Sequence, residues 1–123
     1  MKKIIIDTNF LLIPAQFKID IFRKLEEFGG EFVVLEPSLD ELKKLVKYKS
    51  KSGMQARIVL HMLNKKNIAA VKTAEKSADD AIVKYASENR CAVATNDKKL
   101  IKRLKINEIK IIRLRQKKYF IME

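Results

Sequence analysis

The sequence predicts an α/β fold in which a parallel sheet is covered by helices on both faces. Short, continuously apolar runs, typical of strands buried on both sides, alternate with segments whose apolar residues recur at helical spacing. The apolar fraction of 47% and the charged fraction of 34% are those of a globular protein. The 123 residues suffice for one domain with a real core, and no linker or repeat divides them, so we expect a single domain over residues 1–123.

The first half of the chain predicts two strands and three helices. The predicted strands are residues 4–6 and 32–35, and the predicted helices are about 17–28, 39–46 and 54–63. Gly29-Gly30 ends the first helix, and the polar stretch 49–53 separates the other two.

The second half continues the alternation. Strands are predicted at 68–71, 91–94 and 109–114, and helices are predicted to follow Ser77 and to cover about 98–104. Tyr119 and Phe120 stand beside two lysines, a setting that suits base stacking, a strand edge or a dimer contact.

Composition excludes several classes of site. A single cysteine, Cys91, and a single histidine, His61, rule out an internal disulfide and a zinc site built from these residue types. Three glycines cannot form the glycine-rich loops of dinucleotide or P-loop sites. No apolar run approaches the roughly 20 residues of a membrane span, and the N-terminus is not a signal peptide, so a cytoplasmic domain is expected.

The charge balance favours a polyanionic partner. The formal net charge is +12 and the isoelectric point is about 9.9. Lysine enrichment also occurs as a solubility device and in thermophiles, but here the excess is clustered, which favours nucleic acid. The residues expected to bind RNA are Lys98, Lys99, Lys102 and Arg103, with a second run at Lys47, Lys49 and Lys51.

Carboxylates stand near the ends of the predicted strands. Asp7 and Asp97 directly follow strands, Glu36 and Glu41 follow the second strand, and Asp79-Asp80 opens a helix. Each has an ordinary alternative explanation. Asp7 and Asp97 suit helix N-caps, residues 38–41 fit a capping box, and acids in a first helical turn suit the helix dipole. Ligands of open parallel sheets, however, bind beyond the carboxyl ends of the strands, where these acids would collect.

Helical phase distinguishes neighbouring acids. At 100° per residue, Asp79 shares a side with Ile82 and Ala86, so it is predicted to face the sheet, whereas Asp80 faces outward. The same test places Glu41 beside an apolar stripe and Asp40 opposite. The predicted metal ligands and catalytic residues are therefore Asp7, Glu41, Asp79 and Asp97, with Glu36 and Asp80 as second candidates.

A cluster of carboxylates without histidine or cysteine suits Mg²⁺ or Mn²⁺. Two such ions about 4 Å apart can activate a water and stabilise the leaving oxygen of a phosphodiester. A basic surface is suited to binding a phosphate backbone. An acidic metal site within such a surface therefore predicts a nuclease.

Four segments resemble the motifs of the PIN-domain nucleases in order and spacing. They are residues 4–9 (IIIDTN), 39–42 (LDEL), 78–82 (ADDAI) and 94–97 (ATND). The resemblance implies a three-layer α/β/α sandwich with a mostly parallel sheet, Mg²⁺- or Mn²⁺-dependent cleavage of RNA, and frequent homodimers. It also implies metal binding by the same four carboxylates. The residues that it implies as groups orienting the ligands or a water are Thr8, Asn9 and Thr95, and Asn96 is a further candidate.

Three functions are compatible with this resemblance. The tail at residues 113–119 is most similar to the PIN branch linked to small-subunit ribosomal RNA processing, which implies pre-ribosomal RNA as the substrate. A toxin of a toxin–antitoxin pair would instead require an antitoxin protein as its partner. A scaffold that binds RNA without cleaving it is the third, but such a role gives no reason to gather repelling carboxylates.

Overall fold

A computed structural model describes residues 3–13, 21–68, 70–115 and 119–123. In this part of the chain the strands are β1 (Lys3–Ile6), β2 (Glu31–Leu35), β3 (Ala70–Val71), β4 (Ala92–Ala94), β5 (Ile111–Arg115) and β6 (Tyr119–Met122). The helices are α1 (Thr8–Leu11), α2 (Ile21–Glu26), α3 (Glu36–Val46), α4 (Lys51–Lys65), α5 (Ala78–Asn89) and α6 (Lys98–Ile106).

The strands form one mixed sheet in the order β3-β2-β1-β4-β5-β6. All neighbouring strands are parallel except β5 and β6, which form an antiparallel pair. The chain first builds outward from β1 to β2 and β3, and then returns to place β4 and β5 on the other side of β1. The direction of winding therefore reverses between β1 and β4, and this is where open α/β sheets form a ligand crevice at their carboxyl ends.

The sheet separates two hydrophobic cores, which confirms the predicted three-layer sandwich. Alternate residues of β1 face opposite cores: Ile4 and Ile6 pack with the first core, and Ile5 packs with the second. The first core lies under α1 to α4, and the second lies under α5 and α6. Cys91 is buried in the second core as a free thiol and serves as a small packing residue.

Capping contacts mark the starts of three helices, of which those after Ser77 and Asp97 were predicted and α1 was not. Asp7 caps α1, Ser77 caps α5 and Asp97 caps α6, each accepting a hydrogen bond from a backbone N–H at the start of its helix. The helix expected to reach about residue 28 ends at Glu26, and Gly29 and Gly30, both with positive φ, follow in the turn that leads to β2.

Two helix starts were predicted too late. The capping box at Ser38 is wrong, because α3 begins at Glu36 with Pro37 in its first turn and buries Ser38 within that turn. The helix expected from residue 54 begins at Lys51, because the Ser50 hydroxyl accepts from the Gly53 N–H at 3.1 Å and caps it there. Part of the polar stretch at 49–53 is thus helical rather than a break.

The C-terminal strands also differ from the prediction. The strand expected at 109–114 begins two residues later, and Tyr119 and Phe120 belong to an additional antiparallel strand, β6. Phe120 packs on Phe10 with ring centroids 5.0 Å apart, so packing explains this aromatic residue. The predicted start of the helix at residue 17, residue 69 of the predicted third strand, and Lys117 and Lys118 lie outside the described residues. No described helix has the length and apolarity that crossing a membrane would require.

Candidate active site

The site lies at the carboxyl ends of β1 and β4. Ile6 of β1 pairs with Ala94 of β4, and the Asp7 N–H continues the ladder by donating to the Ala94 carbonyl at 3.1 Å. Asp7 and Thr95 therefore leave the sheet side by side although 88 positions separate them in the sequence. This juxtaposition places both residues at the point where the winding of the sheet reverses.

Asp7 is a buried carboxylate held from two sides. Its side chain is only 4% exposed. Its Oδ1 accepts from the Thr8 N–H at 2.8 Å, and its Oδ2 accepts from the Thr95 hydroxyl, also at 2.8 Å. Burial, together with the nearby charges of Asp79 and Asp97, raises the pKa of Asp7 from 3.8 to about 6, although both hydrogen bonds act to lower it.

Thr95 connects Asp7 to the start of α6. Its hydroxyl donates to Asp7 and accepts from the Asp97 N–H at 3.0 Å, so both of its hydrogen-bonding functions are used. Asp97 in turn caps α6, with Oδ1 accepting from the backbone N–H groups of Lys99 and Leu100 at 2.9 and 3.3 Å. The Oδ2 atom of Asp97 has no hydrogen bond to any described residue.

Glu41 and Asp79 complete the group electrostatically. Glu41 is exposed on α3, but desolvation by the atoms around its carboxylate raises its pKa. The charge of Asp79 raises this pKa further, whereas the Thr8 hydroxyl and Lys44 lower it. Partial burial likewise raises the pKa of Asp79, the Asp97 charge adds to this, and Arg103 opposes it. Asp79 thus lies within electrostatic reach of all three other predicted carboxylates, and the structure brings the predicted set to one edge.

These carboxylates do not form a closed metal cage. Within residues 3–13, 21–68, 70–115 and 119–123, no three acidic, histidine or cysteine side chains are grouped tightly enough to enclose an ion by themselves. The donor chemistry still fits Mg²⁺ or Mn²⁺, because such ions keep several waters and use only one or two protein carboxylates in many enzyme sites. The buried Thr8 hydroxyl lies near Glu41 but makes no hydrogen bond of good geometry with a described residue. Because buried hydroxyls normally have a hydrogen-bond partner, this supports a polar ligand or water bound at the site.

The second candidates, Glu36 and Asp80, and the predicted orienting residues Asn9 and Asn96 have different surroundings. Asp80 is exposed and forms an ion pair with Arg103 at 2.9 Å, so it faces outward as predicted. Asn96 uses both ends of its amide on the backbone of Leu114, at 2.9 and 3.3 Å, and therefore fixes the loop to β5 rather than facing the carboxylates. Asn9 is exposed on α1, and Glu36 is half-buried at the start of α3.

The predicted basic residues lie at two places around this edge. Lys98, Lys99 and Lys102 are exposed on the first turns of α6, next to Asp97, and they have no ion pair with a described residue. Arg103 was expected to be free to bind RNA, but its side chain forms an ion pair with Asp80.

The second basic run lies at the end of α3 and the start of α4. Lys47, Lys49 and Lys51 are exposed there. A groove of about 530 Å³ along α3 joins Lys47 and Lys44 to Glu41, with Thr73 and Lys76 on its other wall. Only Lys47 of the predicted run lines this groove.

Two functional contacts were missed by sequence reasoning. Lys44 stabilises the charged form of Glu41, and its position one turn further along α3 was a usable signal. Arg103 stabilises the charged form of Asp79 from another helix, and no local pattern indicates that pairing.

Comparison with known proteins agrees with this geometry. Residues 4–117 match the sequence pattern of a family described as a PIN like domain. The chain is 40% identical to Ribonuclease VapC4 of Methanocaldococcus jannaschii over 98% of this chain and 95% of that one. It is 30% identical to Ribonuclease VapC9 of Archaeoglobus fulgidus, over 97% and 87% of the two chains.

Solved structures show the same relationship. The structure titled as the PIN domain endonuclease Utp24 aligns with a TM-score of 0.79 and 31% identity, covering 98% of this chain and 90% of that one. A domain of a functionally unknown protein from M. jannaschii aligns with a TM-score of 0.67 and 18% identity, over 94% and 92% of the two chains, and it shows the fold alone. The chain therefore belongs to the PIN-like domain family.

Proposed function

We propose that the protein is a divalent-metal-dependent endoribonuclease. The observation that carries this proposal is the convergence of Asp7, Glu41, Asp79 and Asp97 on one sheet edge, where the pKa of three of them is raised. A protein of net charge +12 gains nothing for its stability by collecting carboxylates at partly desolvated positions. Perturbed carboxylates in a crevice are instead characteristic of functional sites. The relatives named ribonucleases support RNA as the substrate.

In this proposal, different residues bind the metal ion, orient Asp7 and bind the RNA. One or two of these four carboxylates would hold Mg²⁺ or Mn²⁺ directly, with waters completing its coordination, and the ion would supply an activated water and neutralise charge at the scissile phosphate. Thr95 holds Asp7 in one orientation through its 2.8 Å hydrogen bond. Lys98, Lys99 and Lys102, exposed beside Asp97, are placed to bind flanking phosphates of the RNA.

Within this activity, we favour ribosomal RNA processing as the biological role, on the similarity of the tail at residues 113–119 to that PIN branch. The role of a toxin held by an antitoxin is the second candidate, favoured by the 40% identity to a ribonuclease named VapC4. The two differ in substrate. A processing enzyme cuts structured pre-ribosomal RNA at one place, whereas a toxin acts without that precursor.

The test is cleavage of labelled RNA by the purified protein. A fragment of small-subunit pre-ribosomal RNA and an unstructured RNA of equal length are incubated with Mg²⁺, Mn²⁺ or a chelator. We expect cleavage only with metal, and none by Asp7→Asn, which serves as the control for contaminating nucleases. Metal-independent cleavage, or equal cleavage by Asp7→Asn, would refute the proposal. Sedimentation of the same sample tests the homodimer that the family resemblance implies.

A further inference from the structure

The groove of about 530 Å³ leads away from the carboxylates along α3. We call it the α3 groove. One of its walls is α3, from Glu36 through Glu41 to Lys47, and the other is the segment between β3 and α5, with Thr73 and Lys76. Because Glu41 belongs both to the groove and to the carboxylate group, a polymer that lies across the carboxylates can continue into the α3 groove.

The charge of the α3 wall changes sign along the helix. Acidic residues line its first half and lysines line its second half: Glu36, Asp40 and Glu41, then Lys43, Lys44 and Lys47. On the opposite wall, Glu75 is paired with Lys84 at 3.3 Å, whereas Lys76 has no ion pair with a described residue. A phosphate is therefore attracted at the far end of the groove, and it is repelled near Glu41 unless a metal ion compensates the carboxylates.

Tyr48 lies just beyond the lysine end of the α3 groove. Its side chain is 64% exposed, against 46% for Tyr119 on β6. Its backbone N–H donates to the Leu45 carbonyl at 3.1 Å, so the helical path of α3 continues to this residue. Asp40, Lys44 and Tyr48 follow one another at intervals of four positions. This spacing puts Tyr48 on the side of α3 that faces the groove.

The backbone that carries Tyr48 is held by the next helix. A Cβ atom at Gly53 would collide with the Tyr48 carbonyl and would lie 2.9 Å from the Leu45 carbonyl, so α4 approaches this turn as closely as glycine permits. The Ser50 hydroxyl accepts from the Gly53 N–H at 3.1 Å and caps α4 in the same turn. A ligand that stacks on Tyr48 therefore does not have to order the backbone first.

An exposed aromatic ring next to lysines is the combination that binds single-stranded nucleic acid, because the lysines contact phosphates and the ring stacks on a base. Residues 42–74 contain no aspartate or glutamate, so nothing in this part of the sequence competes for the lysines. Glu41 and Tyr48 are seven positions apart, which is about 10 Å of helical rise. About three stacked nucleotides span that distance at ~3.4 Å each.

We propose that the α3 groove holds one flank of the RNA substrate as a single strand, with a base stacked on Tyr48. Lys44, Lys47 and Lys76 contact the phosphates of this flank, and the exposed lysines of α6 hold the other flank. A base can stack on a side chain only when it is unpaired and splayed out, so about three nucleotides on the groove side of the cut must be unpaired. This inference rests on the proposed nuclease function and specifies the RNA that the site accepts.

The first test measures RNA binding in a chelator by fluorescence anisotropy, with a short labelled single strand and with the same strand annealed to its complement. Tyr48→Ala and Tyr48→Leu should weaken single-strand binding about tenfold, because both remove the aromatic ring, whereas Tyr48→Phe should match the parent protein. Ile58→Ala changes an exposed apolar residue of α4 and should also match it. Duplex binding and the melting temperature should stay at the parental level in all four variants.

Photocrosslinking locates the stacked base. Single-stranded RNA that carries 5-iodouridine is irradiated with the parent protein, and the modified residue is identified by mass spectrometry. We expect the crosslink at Tyr48, with Tyr119 as the exposed tyrosine for comparison. A crosslink at Tyr119 and none at Tyr48 would place the base on β6 and overturn the proposal.

The lysines of the two walls are tested by the salt dependence of single-strand binding. Replacing Lys47 and Lys76 by alanine should lower the slope by roughly 0.7 for each lysine. The matched control replaces Lys65 and Lys110, which are exposed and precede strands at the opposite edge of the sheet, and should retain the parental slope. Equal slopes for the two double variants would place the phosphates outside the α3 groove.

The outcomes separate this inference from the nuclease proposal. Metal-dependent cleavage by the parent protein, with cleavage and single-strand binding unchanged in Tyr48→Ala, would overturn the role of the α3 groove and leave the nuclease standing. Binding that depends on Tyr48, without metal-dependent cleavage, would support the groove and refute the nuclease. Equal affinity for single strand and duplex, in both the parent protein and Tyr48→Ala, would mean that the lysines attract any polyanion and would refute stacking.

Discussion

The Thr95 hydroxyl donates a 2.8 Å hydrogen bond to the buried Oδ2 of Asp7, and the same hydroxyl accepts from the Asp97 N–H at 3.0 Å. One side chain thus orients Asp7 and fixes the loop that carries Asp97. Because the bond to Asp7 favours the charged carboxylate, it opposes the effect of burial on the pKa of Asp7.

Thr95→Val should damage both stability and function. The valine leaves one oxygen of a buried carboxylate without its partner, which costs about 1–3 kcal/mol of unfolding free energy at pH 7. It should also raise the pKa of Asp7 and shift the acidic limb of the activity profile to higher pH. Thr95→Ser keeps the hydroxyl and should restore both properties. A valine variant with the pH profile of the parent protein would show that Thr95 serves packing alone.

The raised pKa of Asp7 predicts how stability changes with pH. The carboxyl has a pKa of about 6 when folded against 3.8 as its ordinary value, so the folded state retains a proton that the unfolded state has lost. The stabilisation is fully present below pH 3.8 and is lost as the pH rises to about 6, amounting to about 3 kcal/mol. Above that range the contribution is flat.

Urea unfolding between pH 3.5 and 8 in the presence of a chelator measures this effect. We expect unfolding free energy to fall toward pH 6 in the parent protein and in Asp40→Asn, since Asp40 is exposed on α3. In Asp7→Asn the fall should be much smaller. If Asp7→Asn showed the same pH dependence as the parent protein, another group would be responsible.

Divalent metal should stabilise the folded protein by binding it in preference to the unfolded chain. Mg²⁺ or Mn²⁺ at millimolar concentration should raise the melting temperature, and more so at pH 7.5 than at pH 5.5, because a protonated Asp7 competes with the ion. Asp97→Asn should show a smaller shift, whereas Asp40→Asn should match the parent protein. No shift in the parent protein at millimolar metal would count against the site.

Neutralising Lys98, Lys99 and Lys102 should weaken RNA binding and flatten its salt dependence, since each lost phosphate contact lowers the slope by roughly 0.7–0.9. The matched control neutralises Lys24, Lys65 and Lys110, which precede strands at the opposite edge of the sheet. It removes equal charge and should retain the steeper slope. Equal slopes for the two triple variants would indicate that RNA binds elsewhere, with the lysines at 47–51 as the next candidates.

The parts of the fold that the sequence predicted correctly are those in which a residue pattern is compatible with only one kind of secondary structure. The continuous apolar runs ending at Ile6, Leu35 and Ala94 identified the central strands, because strands covered on both faces are apolar on both faces. The four-residue helix α1 carries too little periodicity to be found. The start of α3 was missed because Ser38 resembles a cap, whereas Pro37 fixes an earlier start.

The sequence predicted which carboxylates gather at the sheet edge better than it predicted their contacts. Helical phase correctly placed Asp79 half-buried and Asp80 exposed, but it did not separate Glu41 from Asp40, because both are exposed on α3. The bond from Thr95 to Asp7 depends on β4 pairing beside β1, and the ion pair of Arg103 with Asp80 depends on the packing of α6 against α5. Both are set by tertiary structure, which no local pattern encodes.

Asp79 and Asp80 provide the most direct test of the nuclease site, because they are adjacent, carry the same charge and face different surroundings. Asp80 is exposed and paired with Arg103 at 2.9 Å, and exposed pairs contribute little to stability. Both asparagine variants keep the size of the side chain and its place in the first turn of α5.

The measurement is the rate of cleavage of one labelled RNA by Asp79→Asn and Asp80→Asn, with RNA binding followed in parallel. Asp79→Asn should lose about a thousandfold in rate, on the order of 4 kcal/mol of transition-state stabilisation, while RNA binding is kept or tightened. Asp80→Asn should cleave within about tenfold of the parent protein. Parental activity in Asp79→Asn would contradict the central claim and leave a basic scaffold that binds RNA without cutting it.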